Sequence, residues 1–380
     1  MSASSSLAHS FADSLAGSTP VSRRYRYAVV IGRFQPVHEG HRALLQACLD
    51  CADQVVVVIG SDRQPRSFKN PFTVAERSAM VRGCLEDGER HRVRAVGVVD
   101  DPYDDQVWID EVRQAVEAVI RADGGHPDGM PVALVGHVKD DSSYYLHLFP
   151  GWDFVPFANV EGINATDVRM CYFGRAPEDV ARQQRMAATM LPASTVAFLQ
   201  TFRATQAWEQ LADEREYLLD YRRRFRYAEA GFAPIFCTVD AVVVQRGHVL
   251  MVQRGRVPGQ GNWALPGGFL KADERLLDGA LRELREETAL AVPDAQLRAS
   301  LWARRVFDAP DRSQRGRVLS HAHAFGLADP HPLAPLPAVQ GRDDAAQAAW
   351  WPVEQLEELR DRLFEDHYFI LKYFLTLKQP

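Results

Sequence analysis

The sequence has no long apolar run, few cysteines and no strong excess of charge of one sign. No stretch approaches the roughly 20 apolar residues that a membrane-spanning helix requires. The formal net charge is -6 over 380 residues, which argues against nucleic acid as the main partner. The five cysteines are an odd number and are scattered along the chain. They therefore predict free thiols in a reducing compartment rather than a disulfide framework.

The amino terminus also lacks the features of a secretory signal. Residues 1–23 are rich in serine and alanine, and no basic start leads into an apolar core there. We expect a disordered leader and, given the free thiols, a cytoplasmic protein without a membrane partner. Cys48 and Cys51 have the spacing of a redox motif, but they fall inside a predicted amphipathic helix. That position favours core thiols.

The two halves of the chain differ in the spacing of their apolar residues. In the first half, strand-like runs alternate with helical ones, which predicts βαβ units and a parallel sheet. From Ile235 the runs are short and strand-like around one long helix, which predicts an α+β domain with a mixed sheet. In the first half we predict strands at Tyr27–Ile31, Gln54–Ile59, Arg94–Val99 and Val132–Val135, and helices at His41–Cys51, Thr73–Leu85 and Gln106–Ile120. In the second half we predict strands at Leu297–Phe307, Arg317–Phe325 and Ala346–Trp351, and helices at Val353–Leu363 and Tyr368–Leu377.

A helical and highly charged segment separates the two halves. It extends from Ala193 to about Ala230 and has a run of arginines near its end. A solvated helical connector explains this pattern, and a basic patch that meets phosphates is the alternative. We therefore expect four segments, namely the leader at 1–23, a first domain at 24–192, the connector at 193–230 and a second domain at 231–380.

The first chemical motif is a turn with two histidines directly after the first predicted strand. Residues Gly32–His41 read GRFQPVHEGH, and we name them the histidine turn. Ligands of open α/β sheets bind at the carboxyl ends of strands, and a turn that enters a helix offers free N–H groups to phosphate. Two imidazoles three residues apart can both reach the same phosphates and stabilise charge on a leaving pyrophosphate. His38 and His41 are therefore candidate catalytic residues.

The histidine turn resembles the HxGH nucleotidyltransferase superfamily, and its fuller form is similar to nicotinamide mononucleotide adenylyltransferases. The resemblance extends over about residues 26–190 and implies a Rossmann-like α/β fold with a parallel sheet. It implies that Arg169 holds the ATP phosphates as a catalytic residue. The residues implied to bind ATP or the mononucleotide are Gly32, Arg33, Phe34, Gly40, Lys69, Phe72, Arg77, Trp108, Gly136, Lys139, Asn164 and Thr166.

Two of these positions leave alternatives open. Asn164 stands where the family has a serine or threonine, but asparagine can also cap a helix and donate to phosphate. Trp108 matches a position whose ring stacks near the nicotinamide, and a helix-core aromatic is the other interpretation.

The second chemical motif is the glutamate-rich stretch GFLKADERLLDGALRELREE, from Gly268 to Glu287. On a helix, Glu283, Glu286 and Glu287 stand at i, i+3 and i+4, so three carboxylates share one face. Like charges at that spacing repel one another, and a divalent cation with oxygen ligands is the natural compensation. These three glutamates are therefore candidate metal ligands.

This stretch resembles the Nudix box, which marks hydrolases that split a diphosphate joining a nucleoside to another group. The resemblance implies a loop–helix–loop within a mixed-sheet α+β Nudix domain, in which Gly267 and Gly268 permit the tight turn before the helix. Arg282 is expected to pair with Glu274. Ala289 departs from the family pattern, which has glycine there, and alanine costs little unless φ must be positive. The implied box residues are Gly268, Glu274, Arg282 and Glu283, and the implied catalytic residues are Glu286 and Glu287.

Residues outside the box must select the substrate. Segment 307–317 resembles a region of ADP-ribose-hydrolysing Nudix proteins, so Arg312 and Arg317 are candidate ADP-ribose-binding residues, with a solvated loop as the alternative. Residues 343–344 lie where many relatives carry an acidic loop residue, and an ordinary charged turn is the alternative. The candidates for the general base are Glu286, Glu287 and Asp344.

Together the two resemblances predict a bifunctional enzyme of NAD metabolism. The first domain would transfer an adenylyl group from ATP to nicotinamide mononucleotide, giving NAD and pyrophosphate. The second would hydrolyse ADP-ribose to AMP and ribose 5-phosphate. Mg2+ or Mn2+ is implied at both sites, the expected partners are these small nucleotides rather than nucleic acid or membrane, and a homo-oligomer is left open. Two alternatives concern the second domain, namely another diphosphate such as NADH or a ligand-sensing regulatory role, although three intact carboxylates favour catalysis.

Overall fold

The computed structural model describes residues 24–137, 148–158, 163–225, 229, 233–328 and 334–377, so the leader and Lys139 lie outside the described residues. The strands are β1 (Tyr25–Gly32), β2 (Ala52–Ile59), β3 (Val93–Gly97), β4 (Val132–Gly136), β5 (Trp152–Pro156), β6 (Ile235–Gln245), β7 (His248–Arg254), β8 (Trp263–Ala264), β9 (Gly267–Phe269), β10 (Leu301–Phe307), β11 (Arg317–Gly326) and β12 (Ala345–Pro352). The helices are α1 (Glu39–Cys51), α2 (Val74–Gly83), α3 (Asp105–Ala122), α4 (Ala165–Tyr172), α5 (Pro177–Thr189), α6 (Ala193–Phe202), α7 (Gln206–Arg224), α8 (Leu276–Thr288), α9 (Asp294–Ala299) and α10 (His367–Thr376).

The first half forms a five-stranded sheet in the order β3-β2-β1-β4-β5, and every pairing in it is parallel. Both faces of the sheet are buried, which explains the continuous apolar runs of its strands. Along β1, Ala28 and Val30 join the core that contains α1 and α2, whereas Tyr27 and Val29 join the core on α3. The predicted parallel α/β fold is therefore confirmed.

The charged segment after residue 192 is helical, as predicted, but its apolar side chains are not solvated. Phe202 of α6 and Trp208, Leu211 and Leu218 of α7 are buried in the same core as α1 and α2. Their apolar spacing along each helix matches one buried face, which the high charge content of the segment concealed. These helices pack as part of the first domain, and the domain boundary drawn at residue 193 stays a prediction.

The second half forms a seven-stranded mixed sheet. Its main order is β10-β11-β6-β7-β12, with β8 paired to β7 and β9 paired to β6. The pairing of β11 with β6 is parallel and the others are antiparallel. Leu281 and Leu284 of α8 cover one face of the sheet, and Ile370 and Phe374 of α10 cover the other. The predicted mixed-sheet domain is confirmed.

Several element boundaries differ from the sequence-based expectation. Leu297 belongs to the short helix α9 rather than to the following strand, because a turn at Ser300 separates α9 from β10. Segment 353–363 contains two short 3-10 turns, at Val353–Gln355 and Arg360–Arg362, instead of one α-helix. None of the described helices has the length and apolar character to cross a bilayer.

The two domains touch through both apolar and charged side chains. Val99 and Tyr103 of the first domain pack into the core of the second, where the Tyr103 ring lies 5.2 Å from that of Phe307. The Tyr103 hydroxyl donates to the buried carboxylate of Asp366, which also accepts two hydrogen bonds, of 2.9 and 2.7 Å, from Arg312. A buried network therefore fixes one domain against the other.

Candidate active sites

The histidine turn lies at the centre of the carboxyl edge of the parallel sheet. Strand β1 ends at Gly32 and has β2 on one side and β4 on the other, so the strand order reverses there. A crevice opens at such a reversal and is where open α/β sheets bind nucleotides. Gly60, just after β2, and Gly136, at the end of β4, border the same edge.

The two histidines occupy the start of α1, and their rings stack with centroids 3.7 Å apart. The backbone N–H of His38 donates to Nδ1 of His41 at 3.2 Å. That acceptor role leaves the proton of a neutral His41 on Nε2, where it can be donated to a ligand. Burial lowers the pKa of His38 to about 4 and the pKa of His41 well below its ordinary value. Both rings are therefore neutral donors at neutral pH when no ligand is bound.

The buried side chain of Arg77 connects the histidine turn to the loop after β2. The guanidinium of Arg77 is 1% exposed and donates to the carbonyl oxygens of Arg33 at 2.9 Å, Gly60 at 2.6 Å and Ser61 at 3.1 Å. The sequence predicted a nucleotide contact for Arg77. Because its donors are engaged by backbone carbonyls, the geometry instead gives Arg77 a positioning role for the loops after β1 and β2.

Two predicted binding aromatics are also buried. Phe72 is 2% exposed and packs edge-on against Phe198 and Phe202, and Phe34 is 2% exposed with its ring 4.7 Å from that of His41. Both rings are held in protein contacts, so each supports the loop that carries it, and their predicted ligand contacts stay predictions. Phe34 also has a φ of 54°, a strained conformation of the kind found at functional turns.

Gln35 is a supporting residue that sequence reasoning missed. Its buried amide exchanges two 3.0 Å hydrogen bonds with the backbone of Phe72, and its own carbonyl accepts from Arg169 at 2.7 Å. Its position inside the histidine turn was the only available signal. Gln35 therefore connects the histidine turn to Phe72, just before α2, and to Arg169 on α4.

Arg169 presents an unused donor close to a second cation. It is 7% exposed and donates to Gln35 and, at 3.2 Å, to Thr166, while its Nε has no hydrogen-bond partner among the described residues. Burial and then the charge of Arg33 lower the pKa of Arg169 to about 10. Asn164 caps α4, because its side-chain oxygen accepts a hydrogen bond from the N–H of Asp167 at 2.8 Å. This is the capping role that the sequence predicted for an asparagine in place of serine or threonine. Two neighbouring arginines at this edge suit an anion.

Three further predicted residues of this site lie on α1, on α3 and in the loop before α2. Gly40 is in the first turn of α1, and half-buried Trp108 on α3 packs edge-on against Phe149 at 5.9 Å, which favours the core interpretation for its ring. The ammonium of Lys69 forms an ion pair with Asp311 of the second domain. Lys139 lies outside the described residues, so its role is a prediction from sequence alone.

The second site is built on α8 and the loop before it. Arg282 donates two hydrogen bonds to Glu274, at 2.9 and 2.6 Å, which confirms the predicted pair that holds the loop to the helix. The hydrogen bonds from Arg282 hold the pKa of Glu274 at about 2. The same guanidinium reaches Glu283 at 2.7 Å and Glu286 at 2.9 Å.

The three predicted metal ligands have the chemistry of a divalent-cation site. Burial raises the pKa of Glu287 to about 8, and burial also raises the pKa of Glu283 although Arg282 donates to that carboxylate, so an added cation would stabilise both in their charged form. In the described part of the chain, no three His, Cys, Asp or Glu side chains form a ready-made metal cluster, since Arg282 contacts Glu283 and Glu286. Three carboxylates on one helix face, two of them largely buried, fit Mg2+ or Mn2+, so Glu283, Glu286 and Glu287 are retained as its candidate ligands.

The two glycines before α8 are required by close approach rather than by backbone conformation. A Cβ at Gly268 would lie 2.5 Å from a carboxylate oxygen of Glu283, and one at Gly267 would lie 2.3 Å from the carbonyl oxygen of Val239. The N–H of Gly267 donates to Glu287 at 3.0 Å. The predicted reason, a tight turn that only glycine permits, was wrong, because neither residue has a positive φ.

Ala289 ends α8 in the left-handed conformation, with φ 48° and ψ 30°. The condition under which alanine was expected to be costly at this position is therefore met. Its N–H still donates to the carbonyl of Arg285 at 3.0 Å, so the helix end keeps its hydrogen bond.

The cations beside the box differ from those predicted. Arg312 is buried in its bidentate pair with Asp366, and Arg317 donates to the carbonyl of Asp308, so both are engaged by the protein. Arg254 and Arg315 line the cavity beside Glu287 together with Arg312. Arg315 lies in the segment whose arginines the sequence comparison singled out for substrate binding, whereas Arg254, the last residue of β7, was not predicted.

Aromatic rings and one acidic residue complete this cavity. The Arg315 guanidinium lies 5.3 Å from the centre of the Phe269 ring, and that of Arg254 lies 4.1 Å from the centre of Phe364. Asp344, a candidate general base, also lines the cavity and pairs with Arg256 at 2.9 Å. The cavity thus offers cations for phosphate, rings for a base or sugar, and carboxylates for a metal ion.

The fold and the two sites define a two-domain protein of nucleotide chemistry. Residues 29–170 match the cytidylyltransferase-like family model, and residues 237–374 match the NUDIX domain model. A nicotinamide/nicotinic acid mononucleotide adenylyltransferase of Acinetobacter baylyi is 34% identical to this chain, over 50% of this chain and 92% of that protein.

The resemblance to a solved structure spans both domains. The chain is similar to a bifunctional NMN adenylyltransferase/ADP ribose pyrophosphatase of Francisella tularensis solved with AMP and a manganese ion, at 34% identity and a TM-score of 0.82. The match covers 92% of this chain and 98% of that one, and a second structure of the same protein matches at 35% identity. The chain therefore belongs to the family of bifunctional NMN adenylyltransferase/ADP-ribose pyrophosphatases.

Proposed function

We propose that the chain catalyses two reactions of NAD metabolism, one in each domain. The first joins nicotinamide mononucleotide to the adenylyl group of ATP, with release of pyrophosphate. The second hydrolyses ADP-ribose to AMP and ribose 5-phosphate. Family membership over the full length supports the pairing. The strongest support from geometry is that each domain has its own charged cleft, the first at the carboxyl edge of the parallel sheet and the second beside Glu287 of α8.

In the first reaction, the 5′-phosphate of the mononucleotide attacks the α-phosphorus of ATP in line with the departing pyrophosphate. No protein nucleophile is required, so positioning and charge stabilisation supply the catalysis. His41 donates from Nε2, and His38 lies stacked beside it at the helix start. Arg169 and Arg33 hold the ATP phosphates, and the free Nε of Arg169 is the donor available for that contact. Mg2+, when bound to ATP, neutralises phosphate oxygens.

In the second reaction, water attacks one phosphorus of the diphosphate. Glu283, Glu286 and Glu287 would hold Mg2+ or Mn2+, which would neutralise the diphosphate and lower the pKa of the attacking water. Arg282 positions the box loop through Glu274. The general base remains one of Glu286, Glu287 and Asp344.

The choice of ADP-ribose is supported by the cavity beside the box. Arg254 and Arg315 carry charge toward Glu287, and the rings of Phe269 and Phe364 lie against their guanidinium groups. Cations suit the two phosphates, and flat aromatic surfaces suit adenine. We therefore propose Arg254 and Arg315 as substrate-binding arginines in addition to Arg312, which lines the same cavity, and the predicted role of Arg317 stays a prediction. We also propose a cytoplasmic location for the protein. A homo-oligomer is compatible with the sequence.

Product analysis tests this proposal. The protein is incubated with Mg2+ or Mn2+ and either nicotinamide mononucleotide plus ATP, or ADP-ribose, and the products are resolved by chromatography. We expect NAD and pyrophosphate from the first mixture, and AMP and ribose 5-phosphate from the second. Absence of NAD would refute the synthetic role. Unchanged ADP-ribose would refute the second assignment, and turnover of NADH in its place would identify the alternative diphosphate.

A further inference from the structure

The cleft of the first site is partly walled by the second domain. A cavity of about 210 Å³ lies between the domains, lined on one side by Arg33 and Lys69 and on the other by Asp311 and Phe364. Arg33 belongs to the histidine turn, and Lys69 was predicted to face phosphate. The hydrolase domain therefore reaches residues that the proposed adenylyl transfer uses.

The carboxylate of Asp311 contacts the ammonium of Lys69 and lies close enough to Arg33 for that charge to act on it. Lys69 forms an ion pair with it and also donates to its backbone carbonyl at 3.3 Å. Partial desolvation in the cleft raises the pKa of the Asp311 carboxyl, but the charges of Lys69 and Arg33 more than offset this effect and hold the pKa below its ordinary value. A carboxylate on this pair of cations occupies the kind of position that a substrate phosphate oxygen would take.

Two residues that follow Asp311 fix the loop that carries it, one against the second domain and one against helix α7. Arg312, the next residue, is locked to Asp366, which accepts from Tyr103 of the first domain. Gln314 donates to Glu214 on α7 at 3.1 Å. Asp311 is therefore held at the cleft by its neighbours, although its own side chain is 72% exposed and free to leave Lys69.

We propose that Asp311 is an internal competitor of substrate phosphate, through which the hydrolase domain sets the substrate affinity of the adenylyltransferase site. The proposal rests on the proposed first reaction. Each substrate phosphate that binds to Lys69 and Arg33 must displace the carboxylate. Because exposed ion pairs are weak, displacement is readily achieved, and the competition raises the apparent Michaelis constant by roughly two- to fivefold.

The charge-removing variant Asp311→Asn tests the competition at nearly constant side-chain size. Michaelis constants for nicotinamide mononucleotide and for ATP are measured at low and high salt, and each nucleotide is also titrated by calorimetry without turnover. We expect the Michaelis constant and Kd of at least one nucleotide to fall by roughly two- to fivefold, with kcat nearly unchanged and with a smaller effect at high salt. Asp308→Asn, an exposed carboxylate of the same loop, is the control and should change neither.

Unchanged or weaker binding of both nucleotides to Asp311→Asn would overturn the proposal, and weaker binding would show that Asp311 instead orients Lys69 for the substrate. In the Lys69→Gln background the same substitution should have a smaller effect, because one of the two cations is gone. An undiminished effect there would also overturn it. If the wild-type protein makes no NAD, the proposed first reaction fails, and the calorimetric comparison still decides whether Asp311 competes with phosphate.

Discussion

Ala289 has a left-handed backbone conformation, which its Cβ makes unfavourable. At φ 48° its Cβ crowds the following carbonyl, which costs about 1–2 kcal/mol relative to a relaxed residue. Ala289→Gly should therefore raise the free energy of unfolding of the second domain by about 1 kcal/mol, after the greater chain entropy of glycine is subtracted. Urea denaturation measures this change.

A matched control for Ala289→Gly is the same substitution inside a helix. Ala295 is an exposed residue of α9, so Ala295→Gly should destabilise by up to about 1 kcal/mol. A loss of stability in both variants would show that Ala289 is not strained. The hydrolase rate should remain unchanged in Ala289→Gly, since the box carboxylates lie upstream of it.

The stacked histidines predict an acid-sensitive first domain. Burial lowers the folded pKa of His38 from its ordinary 6.5 to about 4, so the unfolded chain binds its proton first. The stabilising contribution is complete above pH 6.5 and is lost as pH falls from 6.5 toward 4. His38→Gln cannot take up that proton, so its stability should depend less on pH in this range. Denaturation midpoints from pH 7 to pH 4 measure the difference, and parallel curves for the two proteins would contradict the account.

At the scale of elements, the box loop depends on one ion pair. Glu274 accepts two charged hydrogen bonds from Arg282, and its side chain is only 13% exposed. Glu274→Gln should cost about 1.5–3 kcal/mol of second-domain stability and reduce ADP-ribose hydrolysis, because the loop before α8 loosens. Asp273→Asn, an exposed neighbour in the same loop, should leave stability and rate unchanged. Equal effects of the two substitutions would remove the special role of the ion pair.

The elements that the sequence predicted well are those with a clear period. Strands β1, β2 and β4 are apolar runs between turns, and α1 and α3 have one apolar face, so local pattern alone was sufficient. Strand β5 had no such pattern, and the helical pattern of segment 353–363 was misleading, because that segment forms two 3-10 turns instead of one helix. Motif residues were found by spacing, whereas Gln35, Arg254 and Arg315 act through contacts that spacing does not record.

At the scale of the whole molecule, the network across the interface should couple the unfolding of the two domains. Tyr103 donates to Asp366, which is 4% exposed and also bound by Arg312. Tyr103→Phe leaves a buried carboxylate with one donor fewer, so it should lower stability by about 1–3 kcal/mol and separate the thermal transitions of the domains. Calorimetry measures this separation. Tyr373→Phe is the control for removal of a hydroxyl, and identical traces for the two variants would argue against the network.

Interdomain contacts were beyond the reach of the sequence. Lys69 and Asp311 are 242 residues apart, and Tyr103 and Asp366 are 263 apart. The sequence around each of these residues is that of an ordinary polar loop. Only the packing of the two domains brings the members of each pair together. The predicted phosphate-facing role of Lys69 therefore omitted the partner that it has in this structure.

The central claim, that two separate sites carry the two reactions, is tested most directly by crossed inactivation. His41→Ala and Glu286→Gln are each assayed for NAD formation from nicotinamide mononucleotide and ATP, and for AMP formation from ADP-ribose. We expect His41→Ala to lose only NAD formation and Glu286→Gln to lose only ADP-ribose hydrolysis, with folding of both checked by circular dichroism. Retained NAD synthesis in folded His41→Ala, or retained hydrolysis in folded Glu286→Gln, would contradict the assignment of that site.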